Sequence, residues 1–175
     1  KVTISKMLRN WVVVYFANLV GSVIIALIMV LSKQYTFAGG GIGKTALTIA
    51  NMKSGLGFWS AIGLGIMCNL LVCLAVWMTF SARTTAGKIL AIIPPISAFV
   101  AAGFEHSVAN MYFIPVGLFI KWFDNTFYAA AGEFTNLTVG NFFLKNLLPV
   151  TIGNIIGGAV FVGAMYWFIY LRKQK

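Results

Sequence analysis

Carboxylates are nearly absent from this chain: of 175 residues only Glu105, Asp124 and Glu133 carry one. Histidine occurs once, as His106, and charged residues make up 9% of the sequence, against roughly 25% in soluble domains. So little charge excludes a soluble surface. It also removes most site chemistry. There is no second histidine and no helical HExxH motif, and Ser107 directly follows His106, an adjacency that rarely aligns a nucleophile with its base. No catalytic residue, metal ligand or cofactor is expected, and the chain does not read as an enzyme. Cysteine is limited to Cys68 and Cys73. Five residues apart on a helix they point in different directions, so they read as small buried thiols. A signal peptide is lacking too, and the first residue is Lys1 instead of Met, so the natural start is expected upstream or cleaved.

What is present is apolar. Hydrophobic residues make up 60% of the chain and the mean hydropathy is +0.91. A bilayer core of about 30 Å takes about 20 apolar residues in a helix. Runs that meet this requirement cover residues 11–31, 56–80 and 147–171. A fourth apolar region, 89–120, is too long for one straight crossing and is interrupted by Pro94-Pro95, by Gly103-Phe104-Glu105-His106, and by Pro115 and Gly117. It reads as two half-helices joined by irregular backbone near the bilayer midplane, with the break at 103–106. The whole chain, 1–175, is read as one all-α transmembrane domain.

The net charge of +10 would suggest nucleic acid in a soluble protein. Here the basic residues flank apolar runs, as topology signals and interfacial anchors do, so no nucleic-acid partner is expected. Lys1, Lys6, Arg9, Arg83, Lys88, Arg172, Lys173 and Lys175 fall on one side and outnumber those on the other. That side reads as cytoplasmic, with both ends inside. The glycine-rich stretch between the first two spans contains GGGIGKT, from Gly39 to Thr45. A phosphate-binding loop needs G-x-x-x-x-G-K-[ST] between a strand and a helix, and this stretch has one residue too few. It reads as a loop.

One internal similarity organises the chain. Asn10 and Asn18, the latter followed by Leu-Val-Gly-Ser, correspond to Asn146 and Asn154, the latter followed by Ile-Ile-Gly-Gly, each 136 positions later. The first and last spans are therefore repeat partners three crossings apart, which gives them opposite orientations, as in an inverted repeat. A three-plus-three design then calls for two spans before Lys1, one of them broken.

The strongest site signal is the break itself. Ionisable side chains in the membrane cost about 2.5–3.5 kcal/mol at the centre and mark functional paths. Non-helical backbone at that depth is tolerated only when buried in protein or lining a watery cavity. His106 is where both features coincide, with Glu105 beside it as a candidate for satisfying freed backbone groups. Lys53 stands just before the second span, where spacing alone reads as an interfacial anchor. Asn69, inside that span, suits packing and pore lining equally, and so do Asn18, Asn110 and Asn154. Gly153, Gly157 and Gly158 form a small-residue face suited to close helix contact.

GFEHSVANMYFIP from Gly103 to Pro115, NLLVCLAVWM from Asn69 to Met78, and LLPVTIGNIIGG from Leu147 to Gly158 resemble the signature segments of the formate/nitrite transporter family, in the family's order. The resemblance covers essentially the whole chain, as the family's third to sixth spans. It implies an aquaporin-like inverted-repeat bundle of six-helix protomers, assembled as a homopentamer in the bacterial cytoplasmic membrane, each protomer with its own pore. It implies a conducted small monovalent anion, namely formate, nitrite or hydrosulfide, with or without an accompanying proton. His106 matches the family's pore histidine, Lys53 its lysine ahead of span four, and Asn69 its span-four asparagine. Val72 and Phe99 match its hydrophobic constrictions. The family's other pore elements, its broken second span and a loop threonine, are absent from this sequence. The alternative reading is an aquaporin-like pore for small neutral solutes.

Overall fold

The computed structural model describes residues 3–172, and every regular element among them is helical. Lys1, Lys173 and Lys175, which entered the charge count above, lie outside the described residues. Besides a single 3-10 turn at Gln34–Thr36, the described residues form α1 (Ile4–Leu31), α2 (Gly41–Ser54), α3 (Phe58–Thr79), α4 (Thr85–Ala101), α5 (Ser107–Phe123), α6 (Asn125–Ala131) and α7 (Val139–Leu171) in chain order. Of these, α1, α3 and α7 are long and apolar enough to cross a bilayer, while α4 and α5 are shorter apolar helices. Large apolar side chains on them face outward, among them Val12, Ile24, Leu90, Val100 and Phe168. Such surface is stable against lipid and not against water. This is a multi-pass membrane protein.

The connection between α1 and α3 is not irregular throughout, as the sequence suggested. Its second half is the fourteen-residue α2. The glycines lie at the start: Gly39 and Gly40 take positive φ of 62° and 86°, conformations glycine adopts without strain. Beyond Gly40 the sequence GKTALTIANMKS offers Ala, Leu, Lys and Met, which favour helix. Leu47 and Ala50 bury its inner face.

The described residues cluster into two compact units, the residues up to Leu56 with Val108–Asn146, and Gly57–Ser107 with the residues from Leu147 onward. In the first, Gly43 lies so close to Phe127 that a Cβ there would sit 2.7 Å from the ring, and Gly117 lies equally close to Ala50. At the rim of this unit Asp124 accepts hydrogen bonds from the Tyr35 hydroxyl at 2.8 Å and from the backbone N–H of Phe127 at 3.0 Å. The Phe127 N–H, then the Tyr35 hydroxyl and the charge of Lys33 hold the Asp124 carboxyl below the usual carboxylate range.

In the second unit, α3 packs on α4 and on the part of α7 from Leu148 onward. Glycine permits the closest approach. A Cβ on Gly153 would collide with the carbonyl oxygen of Ile62, and one on Gly157 with that of Ile66. Without a hydrophobic drive between helices in lipid, such close van der Waals packing is what holds spans together. Along α7 the turns widen to the i→i+5 pattern at Phe142–Leu147, Ile156–Ala164 and Trp167–Leu171, a form that often marks functional sites.

Candidate functional site

Between α4 and α5 the chain leaves the helix, and three local devices define how. Gly103 takes φ +69°, and with it the N–H groups of Gly103 and Phe104 reach back to the carbonyls of Val100 and Phe99, both at 3.1 Å. This pair of bonds is a Schellman motif, which ends α4 with its last carbonyls satisfied. No neighbouring atom would meet a Cβ at Gly103, so its glycine is required by conformation and not by space. Next, the N–H of Glu105 donates to the carbonyl of Leu64 in α3 at 3.3 Å. The third device is Asn154, from α7.

Asn154 is buried, and its side chain makes three hydrogen bonds within the second unit. Its Nδ2 donates to the carbonyls of Gly65 at 2.8 Å and Glu105 at 2.9 Å, and its Oδ1 accepts the N–H of Ser107 at 3.0 Å. Ser107 is the first residue of α5, so that N–H has no acceptor within its own helix. Asn154 therefore caps α5 from a different helix while holding the broken strand to α3. The backbone carbonyl of Asn154 in turn accepts from Nδ2 of Asn69 at 2.6 Å. A polar amide in the membrane interior is accommodated here by spending every hydrogen bond on backbone.

The break places His106 half-buried in this unit. Its ring lies 6.2 Å from the ring of Phe99, inclined at 37°. Glu105 is 4% exposed, and both its backbone groups are anchored in the bonds already described. Val72 is half-buried on α3, one turn beyond Asn69. The structure thus gathers His106, Phe99, Glu105 and Asn69 around one helix break, with Val72 on the neighbouring turn of α3.

Lys53 and Asn110 belong to the other unit. Lys53 occupies the last turn of α2, half-buried, with its ammonium 5.8 Å from the centre of the Phe113 ring. A cation at that distance is attracted by the ring face. Asn146 links the two residues: its Nδ2 donates to the carbonyl of Lys53 at 3.0 Å, and its Oδ1 accepts from Nδ2 of the fully buried Asn110 at 2.8 Å. Placing Lys53 at a C-terminal helix turn is also favoured by the helix dipole.

Sequence reasoning left Asn154 between packing and pore lining and gave Asn146 no role beyond the repeat, yet each organises one group. The available signal was their spacing. They are the two asparagines of the last span that the internal repeat had singled out. Among the described residues no group of three or more His, Cys, Asp or Glu side chains could hold a metal ion.

Comparison with known proteins follows the same lines. The family model described as formate/nitrite transporter matches residues 1–168. The formate channel FocA of Escherichia coli K12 is 47% identical over 179 residues, covering 99% of this chain and 63% of that protein. The formate channel FocA of Haemophilus influenzae is 41% identical, covering 97% of this chain and 61% of its own length. Among solved structures, a pentameric formate channel with formate bound superposes with a TM-score of 0.89 at 47% identity, covering 97% of this chain and 69% of that one. The chain spans somewhat under two thirds of the length of these two FocA proteins. With the family model covering nearly every residue and identity of 47% to a curated relative, the chain belongs to the formate/nitrite transporter family.

Proposed function

We propose that the full-length protein is a channel for small monovalent anions, formate first among them, acting as a homopentamer in the bacterial cytoplasmic membrane with its C-terminus in the cytoplasm. The observation that carries this reading is the helix break fixed by Asn154, which holds the chain's single imidazole beside Phe99 in a relative of proteins named formate channels. Rigid backbone devices around one ionisable ring at membrane depth are costly unless the ring is used.

The physics of the passage sets the roles. A bare carboxylate entering low dielectric loses many kcal/mol of hydration, and a ring of Phe99 and Val72 offers nothing to replace it. Lys53 supplies positive potential that raises the local anion concentration. His106 donates a hydrogen bond to the arriving anion and, in its charged form, passes a proton from ring nitrogen to a carboxylate oxygen. The products are a neutral imidazole and formic acid, which crosses the apolar constriction uncharged. After release the acid gives its proton to water, and the neutral ring takes a proton back from water, which restores its charged form. Asn69 and Asn110 act as supports, Asn69 by tying Asn154 and Asn110 by tying Asn146. Glu105 supports the break through its backbone. Apolar constrictions of this type also interrupt water wires. No catalysed reaction is involved, and no cofactor is called for.

The test is flux through the full-length protein in proteoliposomes. Formate is expected to pass much faster than glycerol, with nitrite and hydrosulfide assayed beside it to rank the anions. Glycerol passage without formate passage would replace this reading with a neutral-solute pore.

A further inference from the structure

Lys53 is the last residue but one of α2, and the backbone of this turn is pinned from two sides. The Lys53 carbonyl accepts Nδ2 of Asn146 at 3.0 Å, and Asn146 is itself held by Nδ2 of Asn110 at 2.8 Å. On the preceding turn, Oδ1 of Asn51 accepts the N–H of Asn136 at 2.9 Å. All of these residues belong to the first unit. What the bonds leave free is the lysine side chain, a flexible stem whose ordering costs more entropy than that of most residues. A cation that sweeps through several ångström spreads its field, and at physiological salt that field decays over about 8 Å. An ammonium that concentrates anions at one place therefore needs a group that holds it there.

Phe113 stands where such a group is needed. It follows Asn110 by three positions on α5, so the two side chains share a face of that helix one turn apart. Asn110 reaches the Lys53 backbone through Asn146, and Phe113 puts its ring centre 5.8 Å from the ammonium. The Tyr112 ring meets that of Phe113 at 5.7 Å and 65°, an edge contact that steadies it. A carboxylate in the place of Phe113 would hold the lysine more firmly, but it would cancel the field that an anion is to feel. A ring attracts the ammonium through its quadrupole and carries no net charge. Resting on the reading of Lys53 as the anion-attracting group, we propose that Phe113 is a positioning residue for anion uptake. Its ring face holds the Lys53 ammonium in the orientation that gathers anions, without discharging it. The ring then sets an apparent affinity. By whatever factor it raises the fraction of channels with the lysine in that orientation, it lowers the half-saturating anion concentration by the same factor.

The test measures formate flux against formate concentration, at fixed ionic strength, for the full-length protein in proteoliposomes. Phe113 is replaced by mono-, di- and trifluorinated phenylalanine through nonsense suppression, a series that drains negative charge from the ring face while nearly keeping its volume. The half-saturating concentration should rise in step with fluorination, reaching about threefold for the trifluorinated ring, with maximal flux unchanged. In a Lys53→Ala background the half-saturating concentration should be raised throughout and the series should be flat. A flat series in the wild-type background, beside a raised value for Lys53→Ala alone, would overturn the proposal and leave the role of Lys53 standing. A graded series that persists in the Lys53→Ala background would show the ring acting on the anion without the lysine, which overturns the proposal as well. A Lys53→Ala channel with the wild-type half-saturating concentration would remove the reading of Lys53 and the proposal with it.

Discussion

Replacing Asn154 by alanine removes three hydrogen bonds at once, of 2.8, 2.9 and 3.0 Å. Interhelical hydrogen bonds in membranes average about 0.6 kcal/mol and reach about 1.7. Three at the average give a loss of about 2 kcal/mol. One partner raises it. The N–H of Ser107 begins α5 and loses its acceptor in a buried site, and an orphaned buried donor costs about 1–3 kcal/mol. The expected loss for Asn154→Ala is therefore about 2–4 kcal/mol. Unfolding of the purified full-length protein by SDS titration reads this directly. Asn154→Asp keeps an acceptor for Ser107 but turns a carboxylate toward the carbonyls of Gly65 and Glu105, so it should destabilise at least as much. Asn69→Leu removes a single bond and should cost about 1 kcal/mol. If Asn154→Ala costs less than about 0.5 kcal/mol, the break is held by other means and the argument built on this residue is wrong.

Further outcomes follow from the packing and the charges. Gly157→Ala places a methyl group against the Ile66 carbonyl and should destabilise the protein by about 1–3 kcal/mol, read by the same SDS titration. Lys53→Ala should lower formate flux severalfold in proteoliposomes at low salt, with Lys33→Ala near wild type; equal behaviour would make Lys53 an interfacial anchor only. Asp124 caps α6 and is held below the usual carboxylate range chiefly by the Phe127 N–H and next by the Tyr35 hydroxyl. A depressed folded pKa stabilises the fold at pH values above the unfolded carboxyl pKa of about 3.9, and that contribution is lost as pH falls through the folded value. Asp124→Ala should accordingly lower the melting temperature at pH 7 and cost progressively less relative to wild type as the pH falls below about 4.

Much of the backbone plan was legible because the physics behind it is local. Excess length, paired prolines and Gly103 marked the interruption near His106, and Gly103 indeed carries the left-handed turn that closes α4. The helix α2 was not legible as such. Its sequence has neither the hydropathy of a span nor a strong apolar stripe, and the glycines at its start dominate the local signal. The clamp formed by Asn154 was half legible. Its repeat position set it apart, but its partners are backbone groups from α3 and the break, and no side-chain pattern advertises a bond to a carbonyl. Lys53 illustrates the converse. Spacing alone read it as an anchor, and its tie to Asn110 through Asn146 appears only once residues 53, 110 and 146 are brought together.

The central claim is that His106 handles the anion at the break, and one measurement bears on it most directly: formate flux through full-length wild-type and His106→Asn channels across pH 5 to 8. Asparagine retains a hydrogen-bond donor but cannot titrate, whereas an imidazole has an ordinary pKa near 6.5. A ring that passes protons should give wild-type flux a pH dependence that His106→Asn loses, together with a changed magnitude. A folded pentamer of His106→Asn with the wild-type rate and the wild-type pH profile would contradict the account.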